Sequence, residues 1–417
     1  MMNLAAGSSS RRCATVLTGV CVSLLCAATF TSSAQAISRI LGTTGTHPVA
    51  ITVDSHGNIY TANYGSNNVT KITPGGVSTT KWAATGSGPG AITVDSAGNI
   101  YTANFSSDNV TKITPGGVST INWVPAGLKP RAITLDSAGN IYTANFGSND
   151  VSKITPGGFS NTSWAATGSV PYGITIDSHG NIYTANGGSN SVSKITAGGV
   201  STTNWAATGS FPLAITVDSA GNIYTANAAS HNVSKITPGG FSTTNWVATG
   251  SGSSPQAITV DSAGNIYTAN SGSNNVTRIT PGGFSKTNWA ATGTAPVAIT
   301  VDSDGNIYTA NYSSNNVTKI TVPKPAKPSV RWSSSAKRKT VTAVITPVAG
   351  VIYTLTAKSG GKTKKGSCKN ITITLGKKRV ARRSCTIKLA KGKWLAAVTP
   401  KKGAAKGAAN TKSYTFK

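Results

Sequence analysis

PVAITVDSHGNIYTANYGSNNVTKITPGGVSTTKWAATG, residues 48–86, is written seven times with small changes between residues 48 and 321, and this repetition decides the fold. The copies begin at Pro48, Pro89, Pro130, Pro171, Pro212, Pro255 and Pro296, at spacings of 41, 41, 41, 41, 43 and 41 residues. A period of roughly 40–45 residues made of short β-type runs is that of a four-stranded propeller blade. Seven copies fall within the range of about four to eight blades in which radial repetition closes into a disc.

One copy supplies the strands. Ala50–Val53 is a short apolar run ended by the turn cluster Asp54-Ser55-His56-Gly57. Asn58–Asn63 is the second strand and Asn68–Thr73 the third, stopped by Pro74-Gly75-Gly76, since proline has no ladder donor and glycine permits the reversal. Ser78–Thr85 is the fourth. Ile59 and Tyr60 are adjacent and both apolar, which suits a blade covered by a neighbour on each face.

The two ends of the array complement each other. The seventh copy stops at Ile320-Thr321, before its fourth strand and tryptophan. Conversely, residues 38–45 precede the first proline without a blade of their own, with Leu41 in register with Trp82 and Gly45 with Gly86. The N-terminal segment is therefore expected to supply the outer strand of blade seven and remove an open sheet edge.

Residues 1–36 read as a signal peptide: Arg11-Arg12, an apolar run from Cys13 to Phe30, and the small-residue site Ala34-Gln35-Ala36. Cleavage near Ala36 would give a secreted or cell-surface chain, and no later stretch has the ~20 apolar residues of a membrane span. Three of the five cysteines fall within that leader; Cys368 and Cys385 remain, and oxidation is expected in an exported chain. A bridge between them closes a loop of 17 residues and contributes about 3 kcal/mol in the chain-entropy model.

Charge divides the chain. All ten acids are aspartates between Asp54 and Asp304, set against twelve Lys or Arg over residues 37–321. From Val322 to Lys417 there are twenty-four Lys or Arg and no acid. Residues 322–328 (VPKPAKP) read as a stiff linker, and residues 329–417 as a basic β-domain of alternating runs. Its clusters, Lys362, Lys364 and Lys365, then Lys377, Lys378 and Arg379, then Arg382 and Arg383, are expected in turns flanking the Cys368–Cys385 bridge, as a polyanion-binding surface.

The core DSxGNIYTAN, present in all seven copies, resembles that of the NHL-type and streptogramin (virginiamycin B) lyase-like propellers. The C-terminal region resembles, through its strand spacing and a tyrosine-bearing strand around Tyr353, the fibronectin-III or immunoglobulin-like sandwiches appended to secreted bacterial proteins. The implied fold is all-β: a seven-bladed propeller closed by the N-terminal strand, plus a small β-sandwich. The first resemblance also implies lyase chemistry on a cyclic depsipeptide, with a histidine general base, acidic metal ligands and magnesium. The residues do not follow it there. Glutamate is absent, and His47, His56, His179 and His231 are scattered over the array. One repeated aspartate per blade does not supply the six to eight converging oxygens of a calcium site, and the expected role of these aspartates is in their turns. The repeated Lys71, Lys112, Lys153, Lys194, Lys235, Arg278 and Lys319 are expected to balance them, and the six tryptophans to pack. No catalytic residue, metal or cofactor is assigned.

Comparison among the copies points to one face. The turns DSxGN and TPGG barely change, whereas the position after TAN varies as Tyr64, Phe105, Phe146, Gly187, Ala228, Ser271 and Tyr312. Blades seven, one, two and three are consecutive in a closed ring, so their aromatics should form one arc. The inter-blade loops add Lys129, Arg131, Tyr172 and Phe211 near the central opening. Aromatic faces beside cations and many amides and hydroxyls suit a polar ligand such as an extracellular glycan or peptide. The expectation is a monomeric, exported binding or scaffold module whose basic domain associates with an anionic cell-envelope polymer. A lyase-like enzyme, and nucleic-acid or polyanion binding by the basic domain, are the alternatives.

Overall fold

The computed structural model describes residues 36–322 in full and, beyond them, the backbone of strands between Val330 and Phe416. Residues 1–35 of the expected leader and residues 323–328 of the expected linker lie outside the described residues.

Residues 37–321 form seven four-stranded antiparallel sheets in a ring. In blade one the strands are Pro48–Val53, Ile59–Asn63, Asn68–Ile72 and Ser78–Ala84, paired in that order from axis to rim. The second strand, IYTAN in every copy, is buried at all five positions in all seven blades. The adjacency of Ile59 and Tyr60 now has its reason, because they face different neighbours. Tyr60, Ala62, Val69 and Ala83 pack against Ile92, Ile100 and Ile113 of blade two. Ile59 and Ile72 pack against Tyr308, Ala310 and Val317 of blade seven.

The ring closes through the N-terminal strand, as the ends of the array foretell. Ile37–Thr43 pairs antiparallel with Asn316–Thr321, from Ile37 opposite Thr321 to Thr43 opposite Asn316, with a bulge between Ile40 and Gly42. Six blades carry a Tyr–Trp pair, with centroids between 5.1 Å (Tyr60–Trp82) and 5.5 Å (Tyr101–Trp123) apart. Blade seven has Leu41 in the tryptophan's place, buried in the seam between the first and last blades.

Each of the seven repeated aspartates is consumed by its own turn. Asp54 Oδ1 accepts from the backbone N–H groups of His56 and Asn58, and Oδ2 from Asn58 Nδ2 at 2.8 Å and the Tyr60 hydroxyl at 3.1 Å. Burial by itself would raise this carboxyl; the hydrogen bonds, led by the Asn58 side chain, outweigh it and hold the group below the ordinary aspartate value. The same burial, with the carboxylate adjacent, pushes the Tyr60 phenol well up.

The repeated lysines are not the counter-ions the charge count predicts. Lys71 Nζ stands 5.3 Å from the Trp82 ring centroid and 5.6 Å from that of Tyr60, and blades two to five repeat the arrangement. Tyr and Trp flank the lysine on the surface of the blade, so its stem covers apolar area while the ammonium meets the ring faces. The TPGG turn then packs on the previous blade. Gly117 has φ of 88°, and a Cβ there would come within 3.0 Å of Trp82 Nε1, so both conformation and space require glycine.

In the C-terminal region the backbone strands form two antiparallel sheets. Strands Ser367–Leu375 and Lys378–Lys388 pair with Cys368 opposite Cys385. Lys362, Lys364 and Lys365 lie in strand Lys362–Lys365, and Lys378, Arg379, Arg382 and Arg383 within Lys378–Lys388, rather than in turns; adjacent cations fall on opposite faces of a strand, so their pairing in sequence does not oppose it. The disulfide, the placement of Lys377 and the expected sandwich packing lie outside the described residues. Among the described residues no helix is long and apolar enough to cross a membrane.

Candidate binding site at the propeller mouth

Both loop sets of one face are fixed by backbone geometry. After TAN the chain turns back onto the loop leading into the same blade: Tyr64 N–H donates to His47 O and Gly65 N–H to Thr46 O. Each such loop is then tied to the previous blade by a side chain. Gly88 N–H donates to Asn67 Oδ1, Lys129 N–H to Asp108 Oδ1, Val170 N–H to Asn149 Oδ1 and Phe211 N–H to Asn190 Oδ1. Ser254 N–H donates to His231 Nδ1, Ala295 N–H to Asn274 Oδ1, and His47 N–H to Asn315 Oδ1 across the closure seam. Donor and acceptor residues alike have φ between 44° and 61°. Asn, Asp and His tolerate that region best among non-glycine residues, which is why they occupy the acceptor slot. This ring of seven bonds was not anticipated, although an Asn recurring two residues before the third-strand valine carried the signal.

On this frame the side chains singled out in the sequence come together. Ring centroids of Tyr64 and Phe105 are 6.5 Å apart, Phe105 and Phe146 5.8 Å, Phe146 and Tyr172 5.3 Å, and Tyr172 and Phe211 5.4 Å. Tyr312 stacks on His47 at 4.4 Å, a partner that sequence reasoning had not assigned. Tyr64, Phe105, Phe146, Tyr172 and Tyr312, with Val49 and Arg131, line one cavity of 300 Å³. It adjoins the axial channel, a space of 740 Å³ walled by the first strands of all seven blades and sharing Arg131, Tyr172 and Tyr312 with the smaller cavity. Lys129 Nζ lies 5.9 Å over the Phe105 ring at the rim, and Phe211, at 39 %, is the most exposed of the mouth aromatics.

Neither space is lined by a histidine or a carboxylate. Asp108 and Asp150, on the same face, are held in hydrogen bonds to Lys129 N–H and to Asn145, Ser148 and Ser163. On the opposite face a cleft of 500 Å³ contains Asp177, His179 and Asp218, but both carboxylates accept the hydrogen bonds of their own turns. Among the described residues no group of three His, Cys, Asp or Glu converges as metal ligands would.

The family model of the virginiamycin B lyase family matches residues 28–195 and 77–327. The chain belongs to that family. Similar solved structures include a streptogramin B lyase (19 % identity, TM-score 0.60, covering 69 % of this chain and 98 % of that one). Another is the virginiamycin B lyase of Staphylococcus aureus (19 % identity, TM-score 0.59, 69 % and 99 %). A catalytically inactive histidine-to-alanine variant of the S. aureus enzyme, with quinupristin, matches at 20 % identity and TM-score 0.59, covering 69 % and 99 %. Among curated proteins none matches the sequence. At these identities the structures attest the propeller. The magnesium and acidic ligands of the lyase chemistry do not fit the mouth described here: its donor set is aromatic and cationic, and a divalent cation takes oxygen ligands.

Proposed function

We propose that the chain is an exported, monomeric, non-catalytic binding module of the virginiamycin B lyase family. The propeller mouth recognises an extracellular glycan or peptide, and the basic C-terminal domain associates with an anionic envelope polymer. One observation carries the reading: the residues that vary between otherwise uniform blades are those that converge on the mouth cavity, from Tyr312 through Tyr64, Phe105 and Phe146 to Tyr172. Aromatic side chains offer large, rigid, low-entropy contact faces. A propeller that only closed its ring would have no use for five of them lining one opening.

The test is a glycan and peptide array probed with the full chain and with Phe146→Ala. Phe146 is half-buried at the mouth rather than within a blade core, so the variant should fold and lose signal at the same array features. Features unaffected by Phe146→Ala would sink the mouth as the site.

Family membership favours one second reading, a lyase acting on a cyclic depsipeptide. It is tested by incubating the protein with a streptogramin B, with and without magnesium, and following ring opening by mass. We expect no turnover. Opening abolished by a histidine-to-alanine change at His47, the histidine nearest the mouth aromatics, would replace the binding reading.

A further inference from the structure

Each leading proline is followed by a residue facing the top of the axial channel. Six blades place an uncharged side chain or none there: Val49, Gly90, Tyr172, Leu213, Gln256 and Val297. Blade three alone has a cation, Arg131. Its guanidinium reaches sideways over blade two, where Gly90 leaves room: a Cβ on Gly90 would lie 3.4 Å from Nη1. The hydrogen bond it makes is a long one, from Nη1 to Gly90 O at 3.4 Å, and its central carbon stands 6.0 Å from the Tyr172 ring centroid. A guanidinium carries five donors. No carboxylate lines either space that Arg131 borders. Burial here disfavours the cation and lowers its pKa below the ordinary arginine value, with Tyr172 and Tyr64 acting the other way.

A cation drawn partly out of water and given a single long protein hydrogen bond gains little from the fold, and the fold does not need it, since six blades manage without one. The planar fork of arginine matches a carboxylate in a two-point hydrogen bond, and that pairing strengthens where water is thinned. Around the fork stand Tyr64, Phe105, Phe146 and Tyr172, with Lys129 adding positive potential at the rim.

We propose that the mouth binds a carboxylated sugar, a uronic-acid unit of a glycan, with its carboxylate on Arg131 and its pyranose ring against the neighbouring aromatic faces. The inference rests on the reading of the mouth as a ligand face and names the chemistry it selects. A glycan is favoured over an acidic peptide on structural grounds. Capture of an extended peptide by strand addition needs a sheet edge, whereas Tyr64, Phe105, Phe146 and Tyr312 of the mouth stand in loops just after their second strands. The mouth offers ring faces and hydroxyls, which suit the apolar faces and hydroxyl rim of a pyranose.

The experiment uses the full chain and two matched probes, a galacturonic-acid disaccharide and its methyl ester, titrated by calorimetry at fixed high salt to suppress the basic domain. The acid should bind about tenfold or more tightly than the ester, the value of a charge-assisted pair in a part-buried site. Arg131→Gln should erase that preference while leaving ester affinity unchanged, and Arg131→Lys should retain part of it. Thermal unfolding of Arg131→Gln should not fall, since the variant loses one long hydrogen bond and sheds a desolvated charge. Equal binding of acid and ester would overturn the carboxylate assignment and leave the ligand face standing. Failure of both probes to bind would overturn the uronic-acid assignment, while loss of array signal in Phe146→Ala tests the mouth itself. Acid binding that survives Arg131→Gln would place it elsewhere, and a free-carboxylate tripeptide binding through Arg131 in place of the sugar would overturn the glycan class.

Discussion

Replacing Leu41 by alanine isolates the energetics of ring closure. Leu41 is 6 % exposed and belongs to one buried cluster with Ile51, Ile59 and Ile72 of blade one and Ala298, Tyr308, Ala310 and Val317 of blade seven. It is therefore the side chain of the closing strand that holds the first and last blades in one apolar cluster. A buried leucine truncated to alanine costs about 2–5 kcal/mol, the spread reflecting how far the cavity collapses. Here two rigid sheets flank the gap, so collapse is limited, and about 3 kcal/mol is expected. At about 2–4 °C per kcal/mol for a domain of this size class, the melting temperature should fall by roughly 6–12 °C. Ile40, next to it on the same strand, is 52 % exposed, and Ile40→Ala should stay within about 0.5 kcal/mol. Deleting residues 37–45 goes further: strand Asn316–Thr321 becomes an open edge, and the protein should oligomerise as well as melt earlier. Circular dichroism melts and size-exclusion chromatography of the three variants make the comparison. Equal effects of Leu41→Ala and Ile40→Ala, or a deletion variant that stays monomeric with an unchanged melt, would refute closure by this strand.

The pH dependence has two arms. Hydrogen bonds hold Asp54, Asp136, Asp177 and Asp218 below their ordinary value against the effect of burial, so their contribution is full above about pH 4 and lost as pH falls below it. Burial, reinforced by the neighbouring aspartates, raises Tyr60, Tyr101, Tyr142, Tyr183, Tyr224, Tyr267 and Tyr308, so their contribution is full below about pH 10 and lost as pH rises beyond it. Melting temperature should plateau between these limits, and tyrosinate absorbance from the seven should appear together with unfolding; their ionisation in a folded protein would contradict the turn network. His231→Asn should preserve stability, because asparagine fills that slot in five other blades, whereas His231→Ala should cost about 1 kcal/mol in urea unfolding through the lost bond to Ser254. Retention on heparin should follow the twenty-four cations of residues 322–417 and weaken steeply as the Debye length shrinks from about 10 Å at 0.1 M salt to about 3 Å at 1 M; retention indifferent to salt would refute the anchoring role.

The amino-acid sequence by itself determined the blades, their number, the strand order within each and the closing strand, because a repeat writes the same local instructions seven times and a missing strand at one end matches a spare at the other. It also determined which positions vary, and so which face differs from blade to blade. Only the tertiary structure decided what those positions do. The lysines count as counter-ions in one dimension, yet Lys71 lies over Tyr60 and Trp82, residues 11 positions away on either side and brought to one surface by strand pairing. The inter-blade bonds from Asn67 to Gly88, and from Asn315 to His47 across 268 residues, depend on two loops meeting at positive φ, which no local pattern records. The opposite face reads as uniform, yet its turns expose apolar tips, from Val77 at 69 % to Phe241 at 82 %. The sequence already places Arg131 near the central opening, but not what it meets there. Its surroundings, with Gly90 making room and no carboxylate lining the space, exist only once seven separate segments converge on an axis.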